Sequence, residues 1–87
     1  MTASDDVIRI AQRYADEILR DAVTPYDGGH RIWKECQFLL ERGDRRLDPF
    51  VYWASEYEDT RSKKRRALCD RALRKAADLL VQTGSAL

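Results

Sequence analysis

At 87 residues the chain has room for one hydrophobic core and hence one domain, 1–87. A hydrophobic share of 44% beside a charged share of 36% excludes a disordered polyelectrolyte, and no apolar run nears the roughly twenty residues of a membrane span. The net charge of +1 is unevenly divided: residues 1–60 carry 8 Lys/Arg and 13 Asp/Glu, a balance of −5, and residues 61–87 carry 8 and 2, a balance of +6.

The acidic start, Met1-Thr2-Ala3-Ser4-Asp5-Asp6, lacks the cationic and apolar regions of a secretory signal, so a cytoplasmic protein is expected. Cys36 and Cys69 fall at apolar positions of helical patterns, which suits buried reduced thiols in a cytosolic chain. Two cysteines and one histidine do not supply the four closely spaced ligands of a structural zinc site. No metal and no cofactor is expected.

The first helix is predicted over about 4–23. Ser4 is placed as its N-cap, Asp5 and Asp6 complement the helix dipole, and Val7, Ile8, Ala11, Tyr14, Ala15, Ile18, Leu19 and Ala22 recur at helical spacing. Thr24-Pro25-Tyr26-Asp27 then reads as a fresh start, with threonine at N-cap, proline at N1 and an acid at N3. Gly28-Gly29 follows, and two readings compete: a loop before His30, or glycines inside a helix that let another helix approach closely. The cap favours the second. Ile32, Trp33, Cys36, Leu39 and Leu40 continue the stripe, so the second helix is expected over about 25–42, with Gly43 as its C′ residue.

Asp48-Pro49 repeats the start signal for a short third helix, about 49–59. Phe50, Trp53, Ala54 and Tyr57 share one face, while Val51 and Tyr52 point elsewhere. The fourth helix is expected over about 61–83, capped by Thr60 or Ser62. Its core stripe is Leu68, Cys69, Ala72, Leu73, Ala76 and Leu80; Gly84 closes it, and Ser85-Ala86-Leu87 is expected to fray. Four helices with short connections predict an all-α fold, a small antiparallel bundle.

Tyr26-Asp27-Gly28, Ile32-Trp33 and Phe50-Val51-Tyr52-Trp53-Ala54-Ser55-Glu56-Tyr57-Glu58-Asp59 resemble a group of short, uncharacterised bacterial proteins. These share a Pro-Tyr-acid-Gly helix start and a later Ser-Glu-aromatic-Glu-Asp segment. The resemblance covers roughly residues 24 to 60 and implies a bacterial origin and a helical fold, with no catalytic residue. In length and all-helical character the chain is also similar to bacteriocin immunity proteins, which implies a nuclease toxin as partner.

The residues themselves carry three functional readings. A protein-binding module, of the immunity, antitoxin or regulatory kind, would use Tyr52, Ser55, Glu56 and Asp59 on the third helix. Aromatic side chains give large contact area, and carboxylates would steer a basic toxin or regulator. The bland alternative puts Phe50, Trp53 and Tyr57 in the core and pairs Glu58 and Asp59 with Arg61 to Arg66. Glu56 has its own alternatives, capping Gly28-Gly29 or meeting His30 in a polar contact. The second reading is nucleic-acid binding through Lys63, Lys64, Arg65 and Arg66, opposed by the acid cluster next door. The third, catalysis by His30 or a Glu56/Asp59 pair, lacks any second histidine or motif spacing, so a non-enzyme is expected. A homodimer is a further open alternative, because a short chain gains core by pairing.

Overall fold

The computed structural model describes the backbone of residues 3–85 and side chains as far as Thr83. It is an all-α bundle of four helices: α1, Ala3–Leu19; α2, Pro25–Arg31; α3, Asp48–Asp59; and α4, Lys63–Ser85. The 23 residues of α4 make a rod of about 35 Å, which accounts for most of the 41 Å long axis. Both α1 and α3 run antiparallel to it. Gln12 donates to the Leu80 carbonyl while Asp21 pairs with Arg74, and Glu56 meets Arg65 while Phe50 lies beside Leu80.

The predicted α1 stripe is buried: Val7, Ile8, Ala11, Ala15 and Ile18 all face the core. Its two ends differ from the sequence reading. Ser4 lies inside the first turn rather than capping it, and is buried. Its hydroxyl accepts the Glu41 N–H at 2.7 Å and donates to the Asp44 carboxylate, tying the start of α1 to a distant turn. At the other end the helix stops at Leu19, short of the expected residue 23. Asp21 takes a left-handed φ of 60°, and the amides of Asp21 and Ala22 reach back to the Ile18 and Glu17 carbonyls. This is the Schellman arrangement, with aspartate where glycine usually stands. Ala22 is therefore exposed rather than core.

Thr24 caps α2 as predicted, its hydroxyl accepting the Asp27 N–H at 3.1 Å. Gly28 and Gly29 are helical and buried, in agreement with the close-approach reading. A Cβ on Gly28 would stand 2.3 Å from Ile18 Cγ1, and one on Gly29 would stand 2.7 Å from Leu73 Cδ2. The short α2 thus wedges between α1 and α4, with Tyr26 reaching α3.

Beyond Arg31 the expected helix to residue 42 does not hold its pitch. Ile32–Cys36 forms a π turn and Gln37–Leu39 a 3₁₀ turn. Widening and then tightening the coil slips the apolar stripe off its face. Ile32 and Cys36 stay buried, whereas Leu39 is 48% exposed and Phe38 is 72% exposed. Gly43 is consequently not a C′ residue. It occupies the left-handed position, φ 90°, of a separate turn closed by Asp44 N–H to the Glu41 carbonyl.

Asp48 is the first residue of α3, not its cap; its carboxylate accepts from Arg45 Nε at 3.0 Å and holds the connection instead. Phe50 and Ala54 are buried, with Trp53 and Tyr57 partly so. Ser62 caps α4 through the Arg65 N–H at 3.2 Å. Along α4 the buried positions are Cys69, Leu73, Ala77 and Leu80, while Leu68, expected in the core, is 37% exposed. The helix passes through Gly84 to Ser85, so Gly84 does not end it. The expected fraying at Ala86 and Leu87 lies outside the described residues. No helix is long and apolar enough to cross a membrane among the described residues.

Candidate functional site: the face shared by α3 and α4

The predicted contact residues of α3 fall at i, i+3, i+4 and i+7 on one face of the helix but differ in exposure and in what they bond to. Tyr52 is 51% exposed and stands edge-on to Trp53, ring centroids 4.9 Å apart. Ser55 turns its hydroxyl back to the Tyr52 carbonyl at 2.9 Å, a bond local to its own helix. Glu56 is half-buried and ion-paired with Arg65 at 3.1 Å. It neither caps the two glycines nor meets His30. Asp59 is exposed near the end of α3.

The contact with His30 falls to Glu58. Its carboxylate accepts the Tyr26 hydroxyl at 3.0 Å and lies 3.8 Å from His30 Nε2. Tyr26 stacks on Tyr57 at 4.5 Å, and the Arg66 guanidinium covers the Tyr57 ring at 4.9 Å. Burial, then the bond to Glu58, pushes the Tyr26 phenol above its ordinary range. Glu58 therefore does not pair with the basic block, and this cluster fastens α2 to α3. Cys36 and Cys69 are both buried free thiols, each pushed up chiefly by burial. Among the described residues no group of His, Cys, Asp and Glu could hold a metal ion.

Of the four basic candidates, two are engaged. Arg65 holds Glu56, and Arg66 donates to the Thr60 carbonyl at 3.1 Å while covering Tyr57. Lys63 and Lys64 are exposed at the start of α4. Helical spacing then sets Lys64, Arg71 and Lys75 on one outer stripe of α4, with Leu68 and Leu79 alongside. All five are exposed, and the three cations form no ion pair with a carboxylate among the described residues.

The sequence reading missed the groove next to that stripe. Antiparallel packing of α3 on α4 leaves an apolar cleft of about 430 Å³. Pro49, Phe50 and Trp53 form one wall, and Ala72, Ala76 and Leu79 the other. Arg46 and Lys75 stand on its rim. The two alanines face α3 where larger residues would close the gap, and Leu79 is 55% exposed at the edge. A signal existed: Leu68, Ala72, Ala76 and Leu79 continue at helical spacing on the flank of the buried stripe. Comparison with protein-family models, curated proteins and solved structures found no match to this chain.

Proposed function

We propose that the chain is a protein-binding module, of the immunity, antitoxin or regulatory kind, whose contact surface is the α3–α4 face. The observation that carries this reading is the open apolar groove lined by Trp53 and the exposed Leu79, with the exposed Tyr52 ring edge-on to Trp53. Aromatic and aliphatic anchors beside a cleft, with cations at its rim, have the composition of an interface: apolar centre, polar edge. The buried free thiols support a cytoplasmic setting.

A paired test uses Tyr52→Ala and Leu79→Ser, each at an exposed position. Both variants are expected to melt near the wild-type temperature and to lose a protein partner that wild type retains on an affinity column. Undiminished capture of the same partner by both folded variants would remove this face as the interface. The second reading, nucleic-acid binding, is favoured by the unpaired stripe Lys64, Arg71 and Lys75. It requires retention of generic DNA or RNA that falls steeply with added salt; no retention at low salt sinks it.

A further inference from the structure

The charges around the groove specify more than a protein partner. The sequence suggested that carboxylates on α3 would steer a basic partner. In the fold Glu56 is held by Arg65 and Glu58 by Tyr26 and His30, and Asp48 is held by Arg45. Of the predicted α3 carboxylates Asp59 remains, exposed at the end of the helix; beside the apolar cleft itself the charge is positive, Lys75 on the rim, with Arg71 and Lys64 farther along the outer stripe. Two acids lie near these cations in sequence: Asp70, partly buried next to Arg71, and Asp78, exposed one turn on from Lys75, whose carboxylate accepts from Gln82 at 2.9 Å.

Resting on the function proposed above, we infer that the occupant of the α3–α4 groove is an amphipathic helix with an acidic flank. The cleft runs along two helices, so a third helix laid over it meets apolar residues on both walls. Leu79 and Trp53 are placed to receive its apolar side chains, and Ala72 and Ala76 give the depth that such side chains need. A small ligand fits less well, because small-molecule sites enclose most of their occupant and this cleft leaves Leu79 more than half exposed. The stripe of cations beyond the rim is then used by the acidic flank of the incoming helix. Glutamates at helical spacing would face Lys75, Arg71 and Lys64 in turn.

The probe is a fluorescently labelled synthetic helix of about five turns, with leucines along one face and glutamates on the flanks. A matched helix carries lysine at each glutamate position, and a short DNA duplex serves as the polyanion control. The acidic helix is expected to bind at low salt about tenfold or more tighter than the lysine helix, and to perturb the Trp53 indole resonance. Lys75→Glu is expected to weaken the acidic helix by about tenfold and to strengthen the lysine helix. Leu79→Ser is expected to weaken both. Circular dichroism of each variant confirms that it is folded.

Tighter binding of the lysine helix at the same indole overturns the acidic partner but leaves the groove as a protein site. Tighter binding of the duplex, insensitive to Leu79→Ser, overturns the inference and the proposed function together. If neither peptide moves the Trp53 resonance the inference is overturned, while the capture experiment with Tyr52→Ala still judges the proposed function.

Discussion

The Glu56 carboxylate lies 3.1 Å from the Arg65 guanidinium, so the acidic end of α3 and the basic start of α4 close on each other across the short turn between them. Both groups are solvated, and an exposed pair of this kind contributes little to stability. Glu56→Gln is therefore expected to change the urea midpoint little. Its effect on the surface is larger, because Arg65 then joins Lys64, Arg71 and Lys75 as an unpaired cation. An acidic helix should bind this variant at least as well as wild type. A clear loss of affinity would mean that the Glu56 carboxylate itself touches the partner.

Close packing of α2 gives a second prediction. A methyl group on Gly28 would collide with the fully buried Ile18 and also crowd Val23. Gly28→Ala should lose about 1–3 kcal/mol through overpacking, in spite of a helix-propensity gain of about 1 kcal/mol. Gly29→Ala meets only the end of Leu73, at 2.7 Å rather than the 2.3 Å of Gly28 against Ile18, and should cost less. Thermal melts resolve the two, since about 1 kcal/mol moves the midpoint by roughly 4–8 °C in a domain of this size. Equal midpoints for both variants and wild type would contradict the wedge.

Phe50 and Tyr52 separate core from surface on one helix. Phe50 is 1% exposed and Tyr52 is 51% exposed. Phe50→Ala is expected to cost about 3–5 kcal/mol, enough to unfold much of a small domain, whereas Tyr52→Ala should stay within about 0.5 kcal/mol. Denaturant titration of the two variants checks the contrast.

The two buried thiols predict slow chemistry. Burial raises both above the ordinary value of 9.0, which lowers the thiolate fraction at neutral pH and also blocks approach. A thiol-specific chromogenic reagent is expected to label the native protein slowly and the urea-unfolded protein at once. Rapid labelling of two thiols without denaturant would contradict the burial of Cys36 and Cys69.

Alkaline and acid limbs of stability have opposite origins. The Tyr14 phenol is raised above 10.0, first by its bond to Glu35, and Tyr26 is raised first by burial and then by Glu58. A raised phenol favours the fold while neutral, so this contribution is full below pH 10.0 and is lost as pH climbs past it. Asp44 is lowered below 3.8, chiefly by the Arg46 guanidinium, so its contribution is present above that value and lost as pH falls. Glu35→Gln should bring the Tyr14 titration back toward 10.0 in ultraviolet absorbance, and Asp44→Asn should flatten the acid limb.

Helix number and order were legible because apolar spacing and the Thr24-Pro25 and Asp48-Pro49 starts act locally. The Gly28-Gly29 close approach was legible for the same reason: the Thr24 cap already demanded a helix there. The slip at Ile32–Leu39 was not, since pitch there answers to tertiary packing and not to composition. Ser4 illustrates a similar limit, because a good N-cap residue was recruited by the Glu41–Asp44 turn far along the chain. The acid pairing was hidden too. Glu56 and Glu58 lie one turn-fraction apart in sequence, yet only the rotation of α3 between α2 and α4 sends one to Arg65 and the other to Tyr26. Leu79 was passed over because it flanks the buried stripe of α4 instead of joining it.

The central claim is that the α3–α4 face carries the partner. Its most direct test places a photo-crosslinking amino acid at Leu79 or Tyr52, and at Arg13 on the exposed side of α1 as control. Irradiation in the source cells is expected to trap one and the same protein from Leu79 and from Tyr52, and not from Arg13. Crosslinks to that protein from Arg13 alone, with Leu79 and Tyr52 silent, would contradict the account.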